Sequence, residues 1–367
     1  MKKRIRFHIN SLSGGGAEKV LVDLLGQLDP EKYEVCLVAT SGGVHSSRLP
    51  RHIKYTQIIK CRNSRIADIL SKVLNKMPAR LFTWLFLVGQ YDVEIAYLEG
   101  RTTRHVAAKK TDGRKLAFVH CDVSVKNNIK KVYTDASSCF EEYESFSKVC
   151  FVSEECRMGF FATYGTLSNS CIVHNFIDID RVKRLSLVHT NDVFQPMVWK
   201  IVALGRLAKE KAYERLLYIA SELEKKYPIE FWIVGEGKER HKLEKIIQDM
   251  NIRSVKLLGY RDNPYPIVKQ ADLMVCSSLF EGYSTAAVEA IALGVPVVTT
   301  QCAGMDEILK HGKCGVITDN TQAALFSGIE SLLGDIARYE QIKRNALVEA
   351  ESLSTGSSLD EFLKAIQ

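Results

Sequence analysis

The segment FEGYSTAAVEA, Phe280 to Ala290, carries two carboxylates, Glu281 and Glu289, around the small and hydroxylated residues Gly282, Tyr283, Ser284 and Thr285. The preceding ADLMVCSS reads as a strand. STAAVEAIALG reads as a helix stopped by Gly294, with Ser284 or Thr285 as its N-cap. Such a helix start offers free backbone N–H groups and about half a positive charge, a setting that attracts phosphate. Carboxylates accept hydrogen bonds from hydroxyls. The two glutamates stand on the order of 12 Å apart if a helical rise holds throughout. They suit two sugars joined by a diphosphate, one a ribose and the other a hexose. Taken alone, the same residues also read as a capped helix with one solvated glutamate.

Two further stretches place charge and glycine at strand ends. In LGRLAKEKAYERLL, Leu204 to Leu217, Arg206 follows a strand that ends in Gly205, and Lys209 and Lys211 precede a helix. Cations there suit a diphosphate, although a solvated charge run has the same composition. In NSLSGGGAEKVLVDLL, Gly14, Gly15 and Gly16 separate the first strand from the first helix, so backbone can approach a ligand closely. Glu18 and Lys19 stand where the dinucleotide fingerprint needs its last glycine, and GEGKER at Gly235 lacks its third. A nicotinamide-dependent oxidoreductase is therefore disfavoured.

These residues must be held by strands and helices in alternation. KRIRFHI, YEVCLVAT, DVEIAYL, KLAFVH, KVCFVS and SCIVHN are short apolar strands with helical segments between most of them. After His174 a polar, poorly periodic stretch intervenes. The alternation then restarts at KIVALGRL and runs through IEFWIVGEG, VKLLGY, ADLMVCSS and VPVVTT. The fold class is α/β, with two doubly wound Rossmann-like domains facing a cleft, where ligands meet the carboxyl ends of strands. The expected divisions are residues 1–175, residues 176–345 and a terminal helix, residues 346–367, packing back on the first domain.

The ten cysteines show no C-x-x-C spacing, and the basic start MKKRIRFHIN lacks a signal peptide's apolar stretch, so free thiols in a reducing cytosol are expected. No apolar run approaches the ~20 residues that span a bilayer. The net charge of +7 is uneven: residues 1–175 hold 26 Lys and Arg against 17 Asp and Glu, a net of +9, and the remainder 24 against 26. That asymmetry hints at an anionic partner for the first half. Part of the excess lies between Arg62 and Gly89, where Lys72, Lys76 and Arg80 precede Trp84 and Phe86. This run reads either as a core helix with solvated lysines or as an interfacial segment on an anionic membrane surface. Nothing points to nucleic acid.

Together the motifs resemble the retaining glycosyltransferases of family 4, which have the two-domain GT-B fold. The resemblance spans most of the chain and is stronger in the second half. It rests on GGGAEKV, on GRL with Lys211, on IVGEG followed by LGY, and on Glu281, seven residues, Glu289, an apolar helix and G-x-P-V-V ending at Val298. It implies that Arg206 and Lys211 neutralise a donor diphosphate, and that Glu281 faces the donor sugar. The backbone from Gly282 to Thr285 would meet sugar or phosphate, Glu289 would bind ribose, and His120, closing LAFVH, would lie beside the transferred sugar. It implies a nucleotide-diphosphate sugar, UDP-linked by family frequency, as co-substrate. A glycan or lipid-linked acceptor and no metal cofactor are expected, with the enzyme in the cytoplasm, peripheral on the inner face of the plasma membrane. Asp178 and Asp180 form an Asp-x-Asp, a metal motif of another glycosyltransferase fold, but they fall where family members carry a similar acidic pair. The departures are GYST for Gly-Phe-Gly, Ala212 for glycine after Lys211, and AGMDEIL after Thr300. A sugar-nucleotide 2-epimerase shares the fold, and a nucleotide-sugar-binding regulator would have lost Glu281 or His120.

Overall fold

The computed structural model describes residues 1–13, 15–61, 64–354 and 356–367. The chain divides into two compact units, Met1–Ile177 with Gly356–Gln367, and Asp178–Thr355. The first unit contains β1 (Lys3–Ile9), β2 (Tyr33–Ser41), β3 (Lys54–Ile59), β4 (Val93–Ala96), β5 (Arg114–Val119), β6 (Lys148–Phe151) and β7 (Ser170–Ile172). They form one parallel sheet in the order β3-β2-β1-β4-β5-β6-β7. The second unit contains β8 (Trp199–Leu204), β9 (Ile229–Val234), β10 (Val255–Gly259), β11 (Leu273–Cys276), β12 (Val297–Thr300) and β13 (Gly315–Thr318). Their order is β10-β9-β8-β11-β12-β13, again parallel. In both sheets the order reverses beside the first strand, between β1 and β4 and between β8 and β11. At such a switch point the loops leave in opposite directions and open a crevice.

The central strands form because helices cover both faces, so every residue of β4, β9, β11 and β12 is buried. Strand β3 escapes the apolar-run criterion: it is an edge strand, KYTQII, in which only Ile59 is buried. The core of the first unit includes the helix Gly356–Ile366, which buries Phe362, Ala365 and Ile366. Phe362 stacks on Phe7 of β1 with ring centroids 5.9 Å apart. Lys3 Nζ donates to the Ile366 carbonyl at 2.7 Å, and the Glu361 carboxylate lies 3.0 Å from His174 Nδ1.

A buried ion pair crosses β1 and β4: Arg6 and Glu94 meet at 2.6 Å with side chains 2% and 1% exposed. Burial raises the Glu94 pKa, with Arg6 pulling against it. The same guanidinium donates to the Leu87 and Val88 carbonyls at 2.9 and 2.5 Å. The Arg62–Gly89 run, of which Arg62 and Asn63 lie outside the described residues, holds two helices, Ser64–Lys76 and Ala79–Phe86, the second begun by Pro78. Among the described residues all ten cysteines are free thiols, and no helix is long and apolar enough to cross a membrane.

Candidate functional site

The loops after β8 and β11 meet at the switch point of the second sheet. Lys211 sits in a single 3-10 turn, Lys209–Lys211, and its ammonium reaches Glu281 Oε1 at 2.6 Å. Ser278 Oγ donates to the same oxygen at 2.6 Å. Both bonds therefore fall on Oε1, and Oε2 keeps its lone pairs for other donors. The pair is partly buried, Lys211 26% and Glu281 15% exposed. Burial pulls the Lys211 pKa down, but the Glu281 carboxylate outweighs it and leaves the ammonium above its ordinary value. A small pocket opens here, lined by Lys211, Tyr213, Cys276, Ser278, Glu281 and Ser284. Burial, then the Glu281 charge, pushes the Cys276 thiol up to about 12 and keeps it protonated.

The loop from Ser277 to Glu281 is fixed from several sides. Ser277 Oγ donates to the Lys211 carbonyl at 2.6 Å, and Leu279 N to the Glu210 carbonyl at 2.8 Å. Thr300 Oγ1 at the end of β12 donates to the Ser278 carbonyl at 2.6 Å, and Asn320 beyond β13 donates to the Leu279 carbonyl at 2.9 Å. Ser284 is the N-cap of the helix Thr285–Ala292 and accepts from Ala287 N. Only the stretch from Thr285 onward is helical, so the span from Glu281 to Glu289 is part loop and part helix. Glu289 is 3% exposed, and Tyr265 Oη donates to its Oε1 at 3.1 Å.

The sequence-predicted residues do not all converge. Lys211, Glu281 and Ser284 share the pocket. Arg206 is 54% exposed and pairs with Glu210 at 2.7 Å. Gly282 and Tyr283 pack against Gly304, whose φ is +77°; a Cβ there would lie 2.8 Å from the Gly282 carbonyl oxygen. Gly304 belongs to AGMDEIL, so this departure from the family pattern still lets the loop approach closely. The GEGKER glycines have a structural task. A Cβ on Gly235 would lie 1.9 Å from the Gly205 carbonyl oxygen, and one on Gly237 2.2 Å from that of Leu207, so this loop braces the turn that carries Arg206. Ala212 holds φ +47°, a left-handed conformation that glycine adopts without strain.

In the first unit His120 follows β5. Its backbone N–H donates to Glu99 Oε2 at 3.1 Å, and its ring lies 4.8 Å from that of Tyr97. Both ring nitrogens are buried, beside Asn175 and the Tyr97 backbone. Burial lowers its pKa, while Glu99, Asn175 and the Tyr97 backbone pull it up. Glu99, in the turn that follows β4, also accepts from the Cys121 thiol at 3.2 Å. Sequence reasoning missed Glu99 and Tyr265, whose partners His120 and Glu289 lie 21 and 24 positions away and meet them only in the fold. It also missed Ser278, three residues before Glu281, because a serine in a loop carries no signal of the turn that brings its hydroxyl onto the carboxylate. Gly14 lies outside the described residues. Gly15 is the N-cap of the helix Gly16–Gln27, with Glu18 in its first turn against the Gly15 backbone. Asp178 caps the helix Ile179–Leu185 by accepting from Arg181 N at 2.9 Å, and Asp180 lies in its first turn. Among the described residues no three His, Cys, Asp or Glu side chains gather as a metal site would need.

Residues 191–348 match the family Glycosyl transferases group 1, and this stretch of the chain is a domain of that family. An uncharacterised glycosyltransferase of Methanocaldococcus jannaschii is 30% identical over 166 residues, 40% of this chain and 41% of that relative. The N-acetylgalactosamine-N,N'-diacetylbacillosaminyl-diphospho-undecaprenol 4-alpha-N-acetylgalactosaminyltransferase of Campylobacter jejuni is 23% identical over 363 residues, 95% of each chain. The crystal structure of Anabaena HepE in complex with UDP-glucose superposes with a TM-score of 0.76 at 18% identity, covering 99% of each chain. The fold is thus GT-B, and residues 191–348 form its glycosyltransferase domain. The chain spans about two fifths of the length of several curated relatives it matches.

Proposed function

We propose that this enzyme moves a sugar from a nucleotide-diphosphate sugar, UDP-linked, to a glycan or lipid-linked acceptor in polysaccharide or glycoconjugate synthesis, with retention at the anomeric carbon and without a metal. The observation that carries the reading is the Lys211–Ser278–Glu281 cluster at the switch point of the second sheet. Lys211 supplies the cation for the diphosphate, and Arg206 a second one after a rotamer change away from Glu210. Glu281 Oε2 accepts from donor-sugar hydroxyls while Oε1 stays anchored. The backbone from Gly282 to Thr285 meets the sugar or the adjoining phosphate, Glu289 takes the ribose, and His120 lies beside the transferred sugar. The bond from the anomeric carbon to the diphosphate breaks, a bond to an acceptor oxygen forms on the same face, and the acceptor proton leaves with the nucleoside diphosphate. The Campylobacter relative, named for a diphospho-undecaprenol substrate, supports a lipid-linked acceptor, and with it a peripheral place on the cytoplasmic face of the membrane.

A thermal-shift screen across UDP-, GDP- and ADP-sugars identifies the donor, since a saturating ligand raises the melting point by mass action. Product analysis by NMR with and without acceptor then tests the chemistry. Retention is expected, undiminished by EDTA. An inverted product, a manganese requirement, or a 2-epimerised donor formed without acceptor overturns the proposal.

A further inference from the structure

The helices Ser64–Lys76 and Ala79–Phe86 turn apolar residues outward. In the first, Ile66, Ile69, Leu70 and Val73 are 41–59% exposed; in the second and just past it, Leu81, Trp84, Leu85 and Val88 are 42–73% exposed. Each set recurs at i, i+3, i+4 and i+7, one side of a helix. A globular protein normally buries that stripe. The inward sides are already occupied. Phe82 and Leu87 pack with Met77 and Phe86 on Cys36 and Val38 of β2, and Phe82 stacks on His105 with ring centroids 3.6 Å apart. The Leu87 carbonyl is held by both Arg6 and Lys109, so the second helix is fixed at its end.

Charge identifies the occupant. From Ile66 to Tyr91 the sequence holds one carboxylate, Asp68, against Lys72, Lys76 and Arg80, all three exposed. Lys72 and Lys76 each follow a stripe residue, Ile69 or Val73, by three positions, so they flank the stripe with their stems along it and their ammonium groups beyond. A second copy of this surface would bring like charges together. A bilayer with anionic headgroups accepts the apolar stripes and the cations at once.

We infer that these two helices are the surface by which the protein rests on an anionic lipid leaflet, lying in the interface without spanning it. The lipid-linked acceptor proposed above gives this docking its purpose, but the surface is tested without any transfer reaction. The full chain is mixed with vesicles of phosphatidylglycerol and phosphatidylcholine, or of phosphatidylcholine alone, and sedimented. Binding is expected with the anionic vesicles and falls at about 0.5 M salt. Trp84 reports the contact by a blue shift in fluorescence that the Trp84→Ala variant loses; Trp199 and Trp232 belong to the other unit. The triple variant Lys72→Glu, Lys76→Glu, Arg80→Glu is expected to lose at least about a hundredfold in partitioning while keeping its melting point and its nucleotide-sugar affinity. Wild type that stays in the supernatant with anionic vesicles at low salt overturns the inference. So does a dimer in sedimentation velocity that Trp84→Ala dissociates, which assigns the stripe to a second copy. Neither result touches donor binding, measured separately by thermal shift.

Discussion

Replacing Lys211 by methionine keeps most of the side chain's volume and removes its charge. Glu281 would then keep only Ser278 as a partner on Oε1, at 15% exposure. A fully exposed pair would cost under about 1 kcal/mol to break, and a fully buried one about 3–5. The intermediate burial here places the loss near ~2 kcal/mol, or roughly 4–8 °C in the melting of a unit of this size. For the nucleotide, one lost charge-assisted contact to a diphosphate amounts to about 1.5–3 kcal/mol, or roughly 10- to 150-fold in Kd. Calorimetric melting of the free enzyme and titration with the nucleoside diphosphate read the two effects separately. A double-mutant cycle with Glu281→Gln adds a sharper test, because Glu281→Gln removes the stranded carboxylate and should restore part of the lost stability. A folded Lys211→Met variant with wild-type melting point and affinity, or a cycle additive within about 0.5 kcal/mol, would refute the assigned pairing.

Glu281→Ala should cut transfer and donor hydrolysis far more than nucleotide binding, whereas Glu289→Ala should mainly weaken the nucleotide; equal effects on free nucleotide affinity would count against that division. Gly235→Ala should cost at least about 2 kcal/mol in denaturant unfolding, because its Cβ would lie 1.9 Å from the Gly205 carbonyl oxygen. Ala212→Gly should instead gain about 1 kcal/mol by relieving the left-handed backbone, and a loss would show that φ +47° is not strained there. His8 is buried 3.0 Å from His105, and burial lowers its pKa from 6.5 to about 4. The unfolded chain therefore binds the proton first, and this histidine's contribution falls away as pH drops from about 6.5 toward 4, by about 2 kcal/mol between pH 7 and pH 5. Urea unfolding at the two pH values should show the drop, and His8→Gln should remove this histidine's share while leaving that of His105, whose pKa burial also lowers.

The βα alternation was legible because a parallel strand covered on both faces is a continuous apolar run, as FWIV and LMVC show. The edge strand Lys54–Ile59 was not, because its outer residues are free to be polar. Lys211 and Glu281 were legible as charge and glycine patterns at strand ends. Their direct contact was not, since 70 positions separate them and only the β8–β11 adjacency joins them. Arg206 looked equivalent to Lys211 in sequence, but its turn leaves it solvated beside Glu210. The Trp84 run stayed ambiguous because a core helix and an interfacial helix share one apolar period, and only exposure separates them.

The helix Gly356–Ile366 has a consequence for biosynthesis. Its Phe362 fills the core beside Phe7, so the unit whose strands are made first receives these core residues only after the second unit has been made. The second unit is complete in sequence by then. At about 5–20 residues per second, the residues from Asp178 onward take roughly 10–40 s to synthesise, and throughout that time the apolar bed around Phe7 has no Phe362 to cover it. A ribosome-stalled chain ending near residue 355 should therefore expose a hydrophobic patch on its N-terminal unit and engage nascent-chain chaperones there. Emergence of residues 356–367, rather than any step in the second unit, would close that window.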